Sequence, residues 1–348
     1  MHGPETGLRA ELERRAREAG FALFGIAPAT DADGFGRFEA WLDAGYAGQM
    51  KYLHKYREHR RHPRSVVESV RSVAMLAFDY ARADGPSAGA RIARYALGPD
   101  YHRFIWDKLN ALAAWLMAEV PGSYAHGTCD SAPLLERDFA RRAGLGWFGK
   151  NTMLLNVERG SFFFLAGLLT SLELPADEPF ASAHCGTCTA CLDACPTQAF
   201  PQPGTLDAAK CLSYLTIELR GPIPIEHREA IGDWLFGCDI CQDVCPWNRT
   251  SRRPLAMAFP ANEALADVDP LSILELTEAE FEARFGGTSL ARPRRSGLRR
   301  NAAIVLGNTG RCDAIPALER IASGDPDPVV AEAARWALAR LEVSRSKI

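Results

Sequence analysis

The 348-residue sequence has no long apolar run. Its most apolar uncharged stretch, Ser161 to Leu172, is twelve residues, too few to cross a bilayer as a helix and suited to a buried strand or pair of strands. No apolar core follows the N-terminus, where MHGPETGLRAELERRAREAG is charged throughout, so no export signal is expected and the protein is placed in the cytoplasm, away from membranes. Charge of one sign is missing too: 40 Lys and Arg stand against 43 Asp and Glu, a net of −3. That balance says little about partners and leaves room for a local basic patch. With 47% hydrophobic and 24% charged residues, composition excludes extended disorder, a collagen-like repeat and a coiled-coil rod. The length fits two or three domains of about 150 residues.

What is present begins as an alternation of helical and extended patterns. Residues 7–19 are amphipathic, with Leu8 and Leu12 on one side; 21–27 and 72–78 (SVAMLAF) read as buried strands; 101–118 places Phe104, Leu109, Leu112 and Leu116 at roughly helical spacing. Residues 131–143 read as a helix with Asp130 or Ser131 as N-cap, Pro133 in the first turn and Gly144 as stop signal. This is α/β grammar. Composition shifts near 173–179, and from Cys185 to Pro246 core periodicity is weak, so a bound group is expected to organise that segment. Beyond it, RRNAAIVLGN from Arg299 and VAEAARWALAR from Val330 superpose with a period of 31 residues, as in a HEAT-like repeat. Two units are few for independent stability, so the repeat is expected to lean on the preceding domain.

Ten cysteines in a long chain without an export signal point to metal binding and away from a disulfide framework. Eight form two linked groups. Cys185-x2-Cys188-x2-Cys191-x3-Cys195, followed by Pro196, has the spacing of bacterial ferredoxins; Cys238-x2-Cys241-x3-Cys245, followed by Pro246, is the same run without its first member, which Cys211 is free to supply. In two-cluster ferredoxins the cysteine before proline reaches across to the other cluster. Cys185, Cys188, Cys191 and Cys245 are therefore expected to hold one 4Fe-4S cluster, and Cys195, Cys211, Cys238 and Cys241 the other. Structural zinc also takes four thiolates, but it does not need a third cysteine two residues further on, or a Cys-Pro ending twice. Two such clusters lie close together and suit one-electron relay to a redox centre elsewhere. Cys129 and Cys312 are left over and read as small buried hydrophobes.

The cysteine motif, preceded by DSAPLLERDFARRAGLGWFGKNTMLLN (130–156) and followed by RRSGLRRNAAIVLGN, resembles the epoxyqueuosine reductases over nearly the whole chain, with three motifs in the family's order. The resemblance implies a cobalamin-dependent iron-sulfur enzyme that reduces the epoxide of epoxyqueuosine, at the wobble position of certain tRNAs, to queuosine. Cobalamin rests on the resemblance alone. The fold class is then α+β multidomain: an N-terminal α/β cobalamin-binding domain (1–178), a ferredoxin-like two-cluster domain (179–250) and a C-terminal helical HEAT-like domain contacting tRNA (251–348). The chemistry implied is reduction of Co(II) to Co(I) through the clusters, cobalt attack on an epoxide carbon, and protonation of the oxygen by a protein acid before it leaves as water.

That acid matches Asp130 in DSAP, a position equally suited by residue type to an N-cap; a buried or partly buried carboxyl can be held protonated near neutral pH. For cobalamin the resemblance nominates Arg94, Tyr95, Tyr101 and His102 in RIARYALGPDYHRF, Arg60 before the Pro63-Arg64 turn, Lys150 and Asn151 in GKN, and Ser213 and Tyr214 after Cys211. Each aromatic suits core packing as well, and His102 is not assigned as an axial ligand. Independently of the family, 285–300 holds five arginines, Arg292, Arg294, Arg295, Arg299 and Arg300, and no acid. Such a run grips phosphates or forms a solvated helix face. Trp147 and Trp247 are candidates for stacking on an unpaired anticodon base, or for the core. The expected partners are that tRNA and a one-electron donor, with the chain a monomer. The competing readings are a reductive dehalogenase-like corrinoid enzyme and a cluster-binding electron-transfer protein.

Overall fold

The computed structural model describes residues 4–80, 90–249, 259–260, 262, 265 and 268–345. Eight strands run through them: β1 (Leu23–Pro28), β2 (Ser72–Asp79), β3 (Arg91–Ile92), β4 (Ala125–Thr128), β5 (Trp147–Phe148), β6 (Leu154–Leu155), β7 (Phe163–Thr170) and β8 (Trp234–Phe236). The main sheet is ordered β1-β2-β7-β4, and each of its neighbouring pairs is antiparallel. Helix-strand alternation thus leads here to antiparallel pairing.

The sheet is covered on both sides, which explains why β2 and β7 read as unbroken apolar runs without polar alternation. From β2, Ala74, Leu76 and Phe78 pack with Leu12 of the helix Pro4–Glu18 and with Ile105, Leu109 and Leu116 of the helix Tyr101–Glu119. Val73, Met75 and Ala77 face the opposite way, onto Phe35 and onto Phe139 and Ala140 of the helix Glu136–Arg142. That last helix differs from the sequence expectation. It starts at Glu136, with Leu135 in the N-cap position and no side-chain cap bond. Asp130 and Ser131 cap nothing, because the chain leaves β4 through a left-handed residue, Asp130 at φ 56°, and crosses 131–135 as a loop. Cys129 is buried as expected, whereas Cys312 is exposed on a surface turn.

The C-terminal helices, Arg294–Asn308, Ile315–Gly324 and Pro328–Arg345, do not stand apart. They share one core with Ile92, Leu97, Leu212, Leu215 and Phe236, and β3 pairs in parallel with β8 across the same junction. Residues Gly297 to Gly307 of the first of these helices are all buried, so it carries no polar stripe. Its amide donors are satisfied internally: Asn301 Nδ2 donates to Thr216 O at 2.8 Å and Leu235 O at 3.0 Å, and Asn308 Nδ2 to Arg228 O at 2.7 Å, while Asn308 Oδ1 is buried without a partner. Gly307 permits a close helix crossing, since a Cβ there would lie 2.9 Å from Ala337 Cα. Among the described residues, no helix is long and apolar enough to cross a membrane.

Candidate active site

The thiols occupy two neighbouring places. Cys185, Cys188, Cys191 and Cys245 line a cavity of about 220 Å³, with Lys150, His184 and Trp247 in the same wall. Trp147 packs with Cys245 and Cys185, and its Nε1 is buried without a partner; an orphan donor beside these two thiols fits a sulfur-bearing group. Cys195, Cys211, Cys238 and Cys241 gather further inside. Burial pushes the Cys238 thiol up to about 12, and the neighbouring Cys211 and Cys195 add to the effect. Cys241 is raised by burial and then by Cys238 and Cys211. Thiols so disposed are natural ligands for a bound cation, which takes them as thiolates and releases their protons. Two four-residue helices, Ala190–Asp193 and Ile240–Asp243, carry the inner members of the two runs and pack on each other.

Several nominated ligand contacts belong to this cluster region. The Lys150 ammonium donates to Gly186 O at 2.7 Å and Cys188 O at 2.9 Å, and Asn151 Nδ2 to Cys241 O at 3.2 Å. The GKN turn therefore clasps both cysteine loops. Ser213 hydrogen-bonds the Cys211 thiol, and the buried Tyr214 accepts the Gln49 N–H at 2.7 Å. Arg94 is committed to acids beside the second thiol set: its N–H donates to Asp239 Oδ2 at 2.8 Å and its guanidinium pairs with Asp239 and Asp243. Each of these five residues has a partner within the protein, which residue type alone does not reveal.

Asp130, Tyr95, Tyr101 and His102 do converge. Tyr101 OH donates to Asp130 Oδ2 at 2.7 Å, and burial together with the Asp130 charge lifts the Tyr101 hydroxyl far above the phenol range, keeping it a donor. His102 stacks on Tyr101 at 4.1 Å and lies 4.0 Å from Asp130 Oδ2 through Nε2, while its Nδ1 contacts Asp100 Oδ1 at 2.7 Å. Tyr95 meets Tyr101 edge-on at 6.0 Å. The Asp130 side chain is 68% exposed, where a buried or partly buried carboxyl was expected. Arg60 stands nearby: burial lowers its pKa, Tyr52, Glu136 and Asp130 oppose that shift, and its buried Nε has no partner. Glu136, missed in the sequence, accepts the Asp130 N–H at 2.7 Å. In the sequence it lies unremarked inside the helix expected over 131–143.

The basic run divides. Arg299 is buried, bonded to Leu274 O at 2.8 Å and paired with the equally buried Asp325; Arg300, 1% exposed, donates to the carbonyls of Leu215, Leu219 and Gly221. Neither offers a donor to a phosphate, because both satisfy carbonyls or charge where three segments meet. Arg292 pairs with Glu218 and Arg295 with Glu278 at the surface, and Arg294 is exposed. Arg299→Ala is expected to lower the unfolding free energy by about 3–5 kcal/mol, since it strands the Asp325 charge, whereas Arg294→Ala should stay within about 0.5 kcal/mol of the parent. Chemical denaturation of both variants checks the contrast. Trp147, 2% exposed and stacked on Phe180, belongs to the core and cannot reach a nucleobase.

Residues 184–248 match the family model described as a 4Fe-4S double cluster binding domain. Set against a carboxyl-bearing face on the adjoining sheet domain, this defines an iron-sulfur oxidoreductase. Residues 60–131 match the model described as epoxyqueuosine reductase QueG, DUF1730. The chain is 41% identical over 342 residues to the epoxyqueuosine reductase of Pseudomonas aeruginosa, covering 96% of this chain and 94% of that one. It is 44% identical over 317 residues to that of Gloeobacter violaceus, covering 86% and 96%. An epoxyqueuosine reductase solved with a tRNA-Tyr epoxyqueuosine-modified stem loop superposes with a TM-score of 0.89 at 31% identity, over 97% of this chain and 91% of that one. The Bacillus subtilis enzyme, solved with its Asp catalytic loop swung out of the active site, gives 0.88 at 30% identity over the same shares. The chain belongs to the epoxyqueuosine reductase family and is a reductase.

Proposed function

We propose that this protein reduces the epoxide of epoxyqueuosine in the anticodon loop of tRNA to queuosine, with Asp130 as the acid, a cobalamin against the Asp130 face, and two 4Fe-4S clusters on the two thiol sets. The observation that carries the reading is adjacency. Asp239, next to Cys238, binds Arg94; Tyr95, next to Arg94, packs on Tyr101; and Tyr101 holds Asp130. The inner thiol set and the acid thus stand on one short chain of contacts.

The face fits a ligand fringed with amides: the orphaned Arg60 Nε is a donor in want of an acceptor, and Arg60, Tyr95, Tyr101 and His102 are the side chains that would hold a corrin. When bound, the corrin supplies a strongly reduced metal nucleophile, and the clusters supply its electrons singly. The protein's own residues manage position and protons. Removing the epoxide oxygen consumes two electrons and two protons and leaves an alkene and water. Asp130 delivers a proton to that oxygen, and Tyr101 fixes the carboxyl by its hydroxyl. The exposed carboxyl is open to a ligand and nucleoside entering the cleft. Arg292, Arg294 and Arg295 are the members of the basic run that remain at the surface for phosphates.

The test is anaerobic reconstitution with iron, sulfide and cobalamin, followed by nucleoside mass spectrometry of tRNA carrying epoxyqueuosine. The expected product has lost one oxygen and forms only with both cobalamin and a strong one-electron reductant. Assembled clusters with an unchanged nucleoside in every condition would reject the proposal.

A further inference from the structure

The acid sits in a short irregular link between β4 and the helix Glu136–Arg142. At φ 56° its backbone is left-handed, which Asp tolerates better than most residues but does not enforce. Something else has to keep it there. On one side, the buried Cys129 thiol donates to Leu165 O at 3.2 Å and pins the link to β7. On the other, Glu136 turns back across six residues, and its Oε1 accepts the Asp130 N–H at 2.7 Å.

We propose that Glu136 is a positioning residue, tethering the Asp130 loop against the cleft through the backbone N–H while touching no reacting atom. This rests on the reading of Asp130 as the acid. An ordinary first-turn acid points to solvent and supports only its own helix; Glu136 is partly buried and bonded outside its helix. With the N–H held by Glu136, the Asp130 carboxylate is left to Tyr101 and the cleft. Burial and the Asp130 charge raise the Glu136 carboxyl above its usual range, while Arg137 and Arg60 draw it back. The tether needs only an acceptor oxygen, which either protonation state provides.

Three variants of the reconstituted protein test this. Glu136→Ala removes the acceptor, Glu136→Asp keeps the charge but is one methylene short, and Glu136→Gln keeps an acceptor oxygen without charge. In Ala and Asp, kcat is expected to fall by about 100-fold, as for a misplaced catalytic group, with KM unchanged and Gln close to the parent. Amide hydrogen exchange followed by mass spectrometry gives a readout independent of turnover. The peptide containing Asp130 should exchange about tenfold faster in Ala and Asp, in line with one lost hydrogen bond, while β4 and the helix Glu136–Arg142 stay protected. Equal exchange in all variants, faster exchange spread over β4 and the helix, or a Gln variant as impaired as Ala would overturn the tether. If the exchange pattern holds while Asp130→Asn remains active, the tether stands and the assignment of the acid fails.

Discussion

Asp130→Asn is expected to fold, to assemble both clusters and to lose turnover by about 100- to 10,000-fold, the range associated with removing a general acid. The structure says why this substitution is clean. Asn is among the few residues that accept the left-handed backbone found at Asp130, it keeps an oxygen for the Tyr101 hydroxyl at the 2.7 Å contact, and the exposed site has room for an amide. The only capacity it removes is carrying a proton to a leaving oxygen. Alanine at the same position would add backbone strain and confuse the result. Iron content, circular dichroism and single-turnover conversion of epoxyqueuosine-bearing tRNA measure the three parts separately. Turnover at the parent rate by the folded Asn variant would remove Asp130 from the chemistry.

Cys211→Ala carries an effect of comparable size. Iron should fall from about eight to about four atoms per chain, the content of one 4Fe-4S cluster in place of two, and reduction of the nucleoside should stop. Cys211 is the ligand least constrained by motif, since 26 residues separate it from Cys238. Its environment nonetheless matches: burial raises its thiol, with Cys195 contributing, and Cys211 in turn raises Cys238 and Cys241. Anaerobic iron and sulfide analysis with electron paramagnetic resonance of the reduced protein decides it. Unchanged iron would show that the inner set is completed by another residue.

Much of this site was legible because its chemistry depends on local spacing. A thiol run is a motif within one loop, so the two cysteine groups stand out in the sequence whatever surrounds them. The same holds for β2 and β7, whose unbroken apolar runs report burial on both faces, and for the helix Tyr101–Glu119, whose apolar spacing survives intact. Residues whose roles depend on distant partners were not legible. Arg299 and Arg300 look like a phosphate clamp until Asp325 and the carbonyls of 215–221 close around them. Nothing in the sequence shows that Lys150 and Arg94 bond to the cysteine loops, Lys150 to Gly186 O and Arg94 to Asp243.

By itself, then, the sequence determined the cluster ligands to be expected, the central strands and the helical character of the C-terminal segment, because each is encoded in neighbouring residues or a short period. Tertiary structure alone decided which polar side chains face the cleft. A guanidinium or an ammonium is the same group on a surface and in a core, and its role depends on the acceptors that chain topology brings within hydrogen-bonding distance. Glu136 shows this most directly: six residues from Asp130 it is unremarked in sequence, and only the left-handed turn at Asp130 folds that backbone N–H onto its carboxylate.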